Sequence, residues 1–193
     1  TETGSVARGI GLKTYDPEVL DFKLVNATGY EIDPLSEFSI MFSVEIPGAG
    51  LSADTILFEN YTNSRKIALE YLYATDKFKL TVGRDAHVYD GVCSIGDRQI
   101  VTLVYKYQTG NYDDSEADNF TFKSTLYLDK TSYSGSTGTA SSISGTGCSW
   151  FVSNEEDIKF DELRVYSRAL TDAEVLGLYD EFYNSDDKDP EYF

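Results

Sequence analysis

Histidine occurs once and cysteine twice in this chain of 193 residues, and 16 basic side chains face 33 acidic ones. With His87 alone, two-histidine metal sites of the H-E-x-x-H kind are impossible, and any serine or cysteine triad would have to recruit that one ring. Its neighbours Asp85 and Tyr89 suit a histidine satisfied at the surface or in a turn. No serine sits in a G-x-S-x-G frame, and the phosphate-cradling G-x-G-x-x-G loop does not occur. The formal charge of −17 repels the phosphates of nucleic acid and the anionic surface of a membrane, so neither is an expected partner. No stretch of eighteen apolar residues and no basic-then-apolar leader is present, which argues against direct membrane insertion.

The two cysteines, Cys93 and Cys148, lie outside any C-x-x-C spacing, which excludes a zinc knuckle or a thioredoxin-type pair. One disulfide or two buried thiols are the choices left, and the expectation is a Cys93–Cys148 disulfide, whose long closed loop would stabilise the fold by roughly 4 kcal/mol. N-x-[ST] sequons occur at Asn26, Asn60 and Asn119, where chance would supply about one, and they favour an extracellular, glycosylated setting. Thr1 is not an initiator methionine, so the expectation is a segment of a longer secreted or surface precursor.

What is present is period-two patterning. Phe38, Ile40, Phe42, Val44 and Ile46 alternate with Ser39, Ser43 and Glu45, the signature of a half-buried strand. Ile67, Leu69, Tyr71 and Tyr73 repeat it, as do Phe78, Leu80 and Val82; the short link 74–76 makes the pair a hairpin. Further strands are expected at 99–107, 120–128, 19–24, 28–33, 54–59, 148–153 and 158–166. So many one-sided strands need a second sheet to cover them, and 41% hydrophobic content in a chain of this length fits one core. The expected fold is an all-β, two-sheet antiparallel sandwich of the jelly-roll kind.

One helix is predicted near 171–182. Thr171 and Glu174 form a capping box, and Val175, Leu178, Tyr179 and Phe182 make one apolar stripe behind it. Residues 1–183 then make the domain, and the acidic, proline-containing 184–193 a tail or linker. Residues 131–147, almost all small and polar, are expected to form a rim loop or a plain edge. Residues 108–119 gather Asp113, Asp114 and Asp118 beside Tyr112. Calcium takes six to eight oxygen ligands, so such a loop is a candidate metal site, although a solvated acidic loop has the same composition. Tyr112 and Tyr133, outside any apolar alternation, are the candidate aromatic platforms for a sugar, whereas Trp150 shares a strand face with Cys148 and Val152 and is expected in the core.

The stretch 158–178, IKFDELRVYSRALTDAEVLGL, resembles the closing signature of laminin-G-like, concanavalin A-like lectin domains, with Phe160 to Tyr166 and Arg168 to Leu170 matching in order. Residues 28–46 resemble the opening of such domains with Phe42 where tryptophan is usual, and 97–104 resemble a central strand that here lacks its tryptophan and histidine. The resemblance implies a sandwich with a short C-terminal helix, an Asp161–Arg168 pairing across the strand-to-helix turn, helix docking from Leu170, and one rim calcium. Asp54 stands where these domains place a calcium ligand.

The functional expectation is a non-catalytic extracellular recognition module, glycan-binding or adhesive, with a glycan or a cell-surface protein as partner. The alternative is a protein-binding structural domain with no sugar ligand. A carbohydrate-active enzyme ranks third, because the glucanase pattern E-x-D-x-x-E fails: Glu155 and Asp157 are followed at the required place by Phe160.

Overall fold

The computed structural model describes residues 20–22, 37–49, 51–61, 67–82, 85–109, 119–135, 138–141, 149–152 and 158–186. Among them are β1 (Leu20–Phe22), β2 (Phe38–Glu45), β3 (Thr55–Tyr61), β4 (Ile67–Leu72), β5 (Lys77–Val82) and β6 (Asp85–Val92). These are followed by β7 (Arg98–Thr109), β8 (Asn119–Leu128), β9 (Thr131–Ser134), β10 (Gly138–Ser141), β11 (Ser149–Val152), β12 (Lys159–Tyr166) and the helix α1 (Asp172–Asp186). Every pairing between the described strands is antiparallel, and an isolated parallel bridge joins Ile46 to Ile95. One six-stranded sheet runs β1-β11-β3-β4-β5-β6, and the second runs β10-β8-β7-β2-β12. Strand β9 shares with β10 the edge of β8 that faces away from β7. No helix among the described residues is long and apolar enough to cross a membrane.

The core lies between the sheets. Phe38, Ile40, Phe42 and Val44 of β2 meet Leu57, Phe58, Leu69, Tyr71, Phe78, Leu80 and Tyr89 from the other sheet. Phe38, Tyr105 and Phe122 stack across three neighbouring strands, with ring centroids 4.8 and 5.4 Å apart. The β4–β5 hairpin forms as its alternation predicts, and its turn places Asp76 at φ 54, a left-handed conformation that aspartate tolerates.

Strand β2 differs from its half-buried expectation. Ser39, Met41 and Ser43 are as buried as the apolar residues between them. The reason is α1, which lies across the outer face of the second sheet. Val175 and Phe182 reach Val104, Tyr127, Met41 and Ile100 there, and the guanidinium groups of Arg98 and Arg164 sit over the Phe182 ring at 5.7 and 5.1 Å. Burying a ring of this size stabilises by roughly 2–3 kcal/mol. The helix begins where the capping box predicts, with the Glu174 amide donating to Thr171 Oγ1 and the Thr171 amide donating to the Glu174 carboxylate. It continues to Asp186, three residues into the segment assigned to the tail.

One segment corrects the sequence reading. Strand β6 was not expected, because its inward positions are Asp85, His87, Tyr89 and Gly91 while Val88 and Val92 point outward. The described part of the run expected as a rim loop or a plain edge takes the second form in β9 and β10, whose small residues complete the edge ladder of β8. Gly135 between them is buried against Ser124, where a side chain would collide with the Ser124 carbonyl and hydroxyl.

Candidate binding site

Of the sequence-predicted metal and ligand residues the structure describes two, Asp54 ahead of β3 and Tyr133 in β9. Asp54, just before β3, accepts a hydrogen bond from the Tyr73 amide at 3.2 Å, so one carboxylate oxygen closes the end of the β3–β4 pair. No group of three or more acidic, histidine or cysteine side chains that could hold a metal occurs among the described residues. Asp113, Asp114, Asp118 and Tyr112 lie outside the described residues. The described strand ends nearest them in sequence are Thr109 of β7 and Asn119 of β8, at the end of the second sheet away from Arg98 and Leu128.

Tyr133 is in β9, partly buried against the core, with its ring lying on Gly91 of β6. It closes the sandwich edge instead of offering both ring faces to a ligand. Asn60 sits within β3 opposite Trp150, and Asn119 opens β8 opposite Ser141, both in paired strands; Asn26 lies outside the described residues, and so does the side chain of Trp150.

The expected disulfide is not formed at Cys93, which is a buried free thiol. Its Sγ lies 3.7 Å from the Ser94 carbonyl, and burial, followed by the charges of Asp76 and Asp129, pushes the thiol up to about 12. Topology explains the correction. Cys93 follows β6 at the Thr55 end of the first sheet, whereas Ser149, next to Cys148, pairs with Tyr61 at the other end. Six strand steps are about 20 Å, and a bridge needs Cα atoms within about 7 Å. Cys148 itself lies outside the described residues.

The described residues do form a groove of about 490 Å³ on the outer face of the second sheet. Its floor comes from β7 and β8, with Lys106 opposite Lys123, Val104 opposite Thr125, and Tyr127 beyond them. Glu37, just ahead of β2, borders the floor, and residues 169–173 form the wall. Strand alternation puts these side chains outward, because Tyr105, Phe122, Leu126 and Leu128 take the core phase.

The wall is clipped to the sheet. Buried Ser39 on β2 donates through Oγ to the Arg168 carbonyl at 3.0 Å and accepts from the Leu170 amide at 2.9 Å. Tyr127 donates to Asp172 Oδ1, tying the first helical residue to β8. Burial first, then this carboxylate, raises the Tyr127 hydroxyl above its ordinary range and keeps it protonated. Arg168 grips Glu174 through two bonds of 2.8 and 2.7 Å; its expected pairing with Asp161 falls on a side chain outside the described set. Thr171 and Glu174 occupy one turn, so the guanidinium follows the cap outward.

Electrostatically the groove is mixed. Lys106 stands 3.8 Å from Glu37, both half exposed, and no ion pair to Lys123 occurs among the described residues. Asp172 is already engaged by Tyr127. The floor thus carries donors and acceptors of both senses on paired strands, with only Tyr127 supplying a ring. The wall residues 169–173 fall inside the C-terminal signature legible in the sequence. The opposition of Lys106 and Lys123 was not legible, because it depends on the β7–β8 register.

No protein-family profile matches the chain, and no curated protein does. Solved structures do. Trypanosoma rangeli sialidase in complex with the inhibitor DANA aligns with a TM-score of 0.55 and 14% identity over 93% of this chain and 31% of its own. The same enzyme with 2,3-difluorosialic acid as a covalent intermediate gives 0.56 and 14% over the same shares. The receptor binding domain of botulinum neurotoxin type G gives 0.51 and 12%, over 92% of this chain and 46% of its own. The fold is a concanavalin A-like jelly roll. At these identities the likeness shows the fold, and the chain spans about a third of the sialidase and less than half of the neurotoxin domain. Within this jelly roll, α1 covers part of the second sheet's outer face and leaves the groove beside its first turn.

Proposed function

We propose that this chain is a non-catalytic, extracellular recognition module of a larger protein, and that it binds a saccharide in the groove beside the first turn of α1. One observation carries the reading: a groove of about 490 Å³ lined with hydroxyl, ammonium and carboxylate groups whose supports are paired strands and a clipped wall. A sugar needs closely spaced donors and acceptors held in fixed positions, and a strand floor supplies them with little ordering cost. A receptor binding domain of a neurotoxin is built on the same fold, which supports a role in recognition. The one histidine supports a non-catalytic role, since His87 packs edge-on against Tyr89, with centroids 4.9 Å apart, on the strand farthest from β11 in the first sheet.

A glycan array probed with the wild-type chain and with Thr125→Trp, which fills the groove floor, tests the reading. Saccharide binding by wild type and its loss in the filled variant is the expected result; retention in the filled variant places the ligand elsewhere. Repeating the array with a chelator tests calcium, and dependence on the ion would move the site to a rim. Val88 and Val92, 43% and 57% exposed on the outer face of the edge strand β6, favour a second reading as a protein-binding adhesion domain. In that case Val88→Lys abolishes partner capture and leaves the array unchanged.

A further inference from the structure

The lysine pair in the groove floor points to the class of saccharide. Lys106 and Lys123 are directly opposed on neighbouring strands β7 and β8, on the outward face. Like charges directly opposite one another destabilise a sheet, since their Cβ atoms are only about 5 Å apart. Acidic residues outnumber basic ones 33 to 16, so carboxylates to neutralise either lysine are abundant in this chain. Yet the two acids of the groove are both engaged: Asp172 accepts from Tyr127, and Glu37 pairs with Lys106 at 3.8 Å, which leaves Lys123 with no ion pair among the described residues. Among the described residues, Lys106 and Lys123 thus line the groove together with Thr125 and Thr171 while sharing the one carboxylate of Glu37.

From this geometry we infer that the groove selects an anionic saccharide, one carrying a carboxylate or a sulfate, which lodges between Lys106 and Lys123. The inference rests on the saccharide-binding reading above. The anion supplies the negative charge that the sheet omits, and the sugar hydroxyls meet Thr125, Glu37 and the wall. A charge-assisted contact exceeds a neutral hydrogen bond in strength, so the acidic group dominates the choice among sugars. The chain's own negative field opposes such ligands at long range, which confines their recognition to this local pair.

Three sets of immobilised oligosaccharides test the inference: neutral, uronic-acid-terminated and sulfated. They are probed with wild type, Lys106→Ala, Lys123→Ala and Lys123→Glu. Wild type is expected to favour one acidic set over the neutral set by tenfold or more, and each lysine variant to lose most of that preference. The stronger acidic set identifies carboxylate or sulfate. Lys123→Glu is also expected to raise the thermal unfolding midpoint without ligand, because it turns a repulsive cross-strand pair into an attractive one; a purely structural role for Lys123 would not pair a gain in stability with a loss of binding. Equal binding of neutral and acidic sugars, unchanged in the lysine variants, overturns the inference and leaves the saccharide reading standing. No binding to any of the three sets overturns both.

Discussion

Gly91→Ala is a direct test of how the two sheets close at their β6 edge. A Cβ at this position would stand 2.6 Å from Tyr133 Cε2, 2.8 Å from Tyr133 Cδ2 and 2.8 Å from Leu128 Cδ1. Carbon atoms prefer about 3.5–4.0 Å, so the ring must retreat by about 1 Å. Overpacking of this kind costs about 1–3 kcal/mol, while replacing glycine by alanine within a strand returns about 0.5–1 kcal/mol. The net expectation is a loss of roughly 0.5–2 kcal/mol, or about 1–8 °C in the unfolding midpoint of a domain this size. In a Tyr133→Ala background the obstruction is gone, Leu128 can turn into the vacated space, and the same substitution should stabilise by about 0.5–1 kcal/mol. Thermal melts of the wild type, both single variants and the double variant measure this as a double-mutant cycle. The reasoning is refuted if Gly91→Ala destabilises equally with and without the Tyr133 ring.

Three further outcomes are expected. Ser39→Ala leaves the buried Leu170 amide without its partner, costing about 1–3 kcal/mol in urea unfolding and loosening the groove wall; no change would mean that water or a shifted turn replaces the hydroxyl. Glu174 is held down at about 2, by Arg168 first and by Thr171 second, so its contribution is complete above the ordinary glutamate value of about 4.3 and fades as pH falls toward 2. The gap in unfolding midpoint between wild type and Glu174→Gln should therefore shrink between pH 5 and pH 2, and a pH-independent gap contradicts the assignment. Cys93, buried and poorly ionised, should resist iodoacetamide in the native protein without reductant and accept it on denaturation, read by intact mass and peptide mapping; resistance after denaturation without reductant would reveal a bridge.

The strands that sequence made legible were those whose apolar residues face the core in strict alternation, such as β5 with Phe78, Leu80 and Val82. Strand β6 reverses that rule. Its inward face relies on Tyr89, whose hydroxyl donates to Ser124 at 2.8 Å, and on a glycine that makes room for a ring from the other sheet, so its stability comes from partners a periodicity scan cannot see. The helix was legible because its cap and stripe are local. Its effect on β2 was not, since a serine on the polar phase of a strand gives no sign that a turn 129 residues away will cover it. The candidate site divides the same way: the wall lies in a recognisable segment, whereas the lysine pair exists only through register. Asp54 was singled out by its place in the family resemblance and Tyr133 by its lack of apolar alternation, and in the fold each has local work, on the Tyr73 amide and over Gly91.

The Ser39 clip has a kinetic consequence. Because one buried hydroxyl bonds both the Arg168 carbonyl and the Leu170 amide, the groove wall cannot swing away from β2 without exposing two unsatisfied backbone groups. A saccharide taken up as proposed would therefore meet a cleft already in its binding shape, and its association should follow a single exponential whose rate rises linearly with concentration, without the plateau that a closing step imposes. Differences in affinity among ligands then reside in how fast they leave.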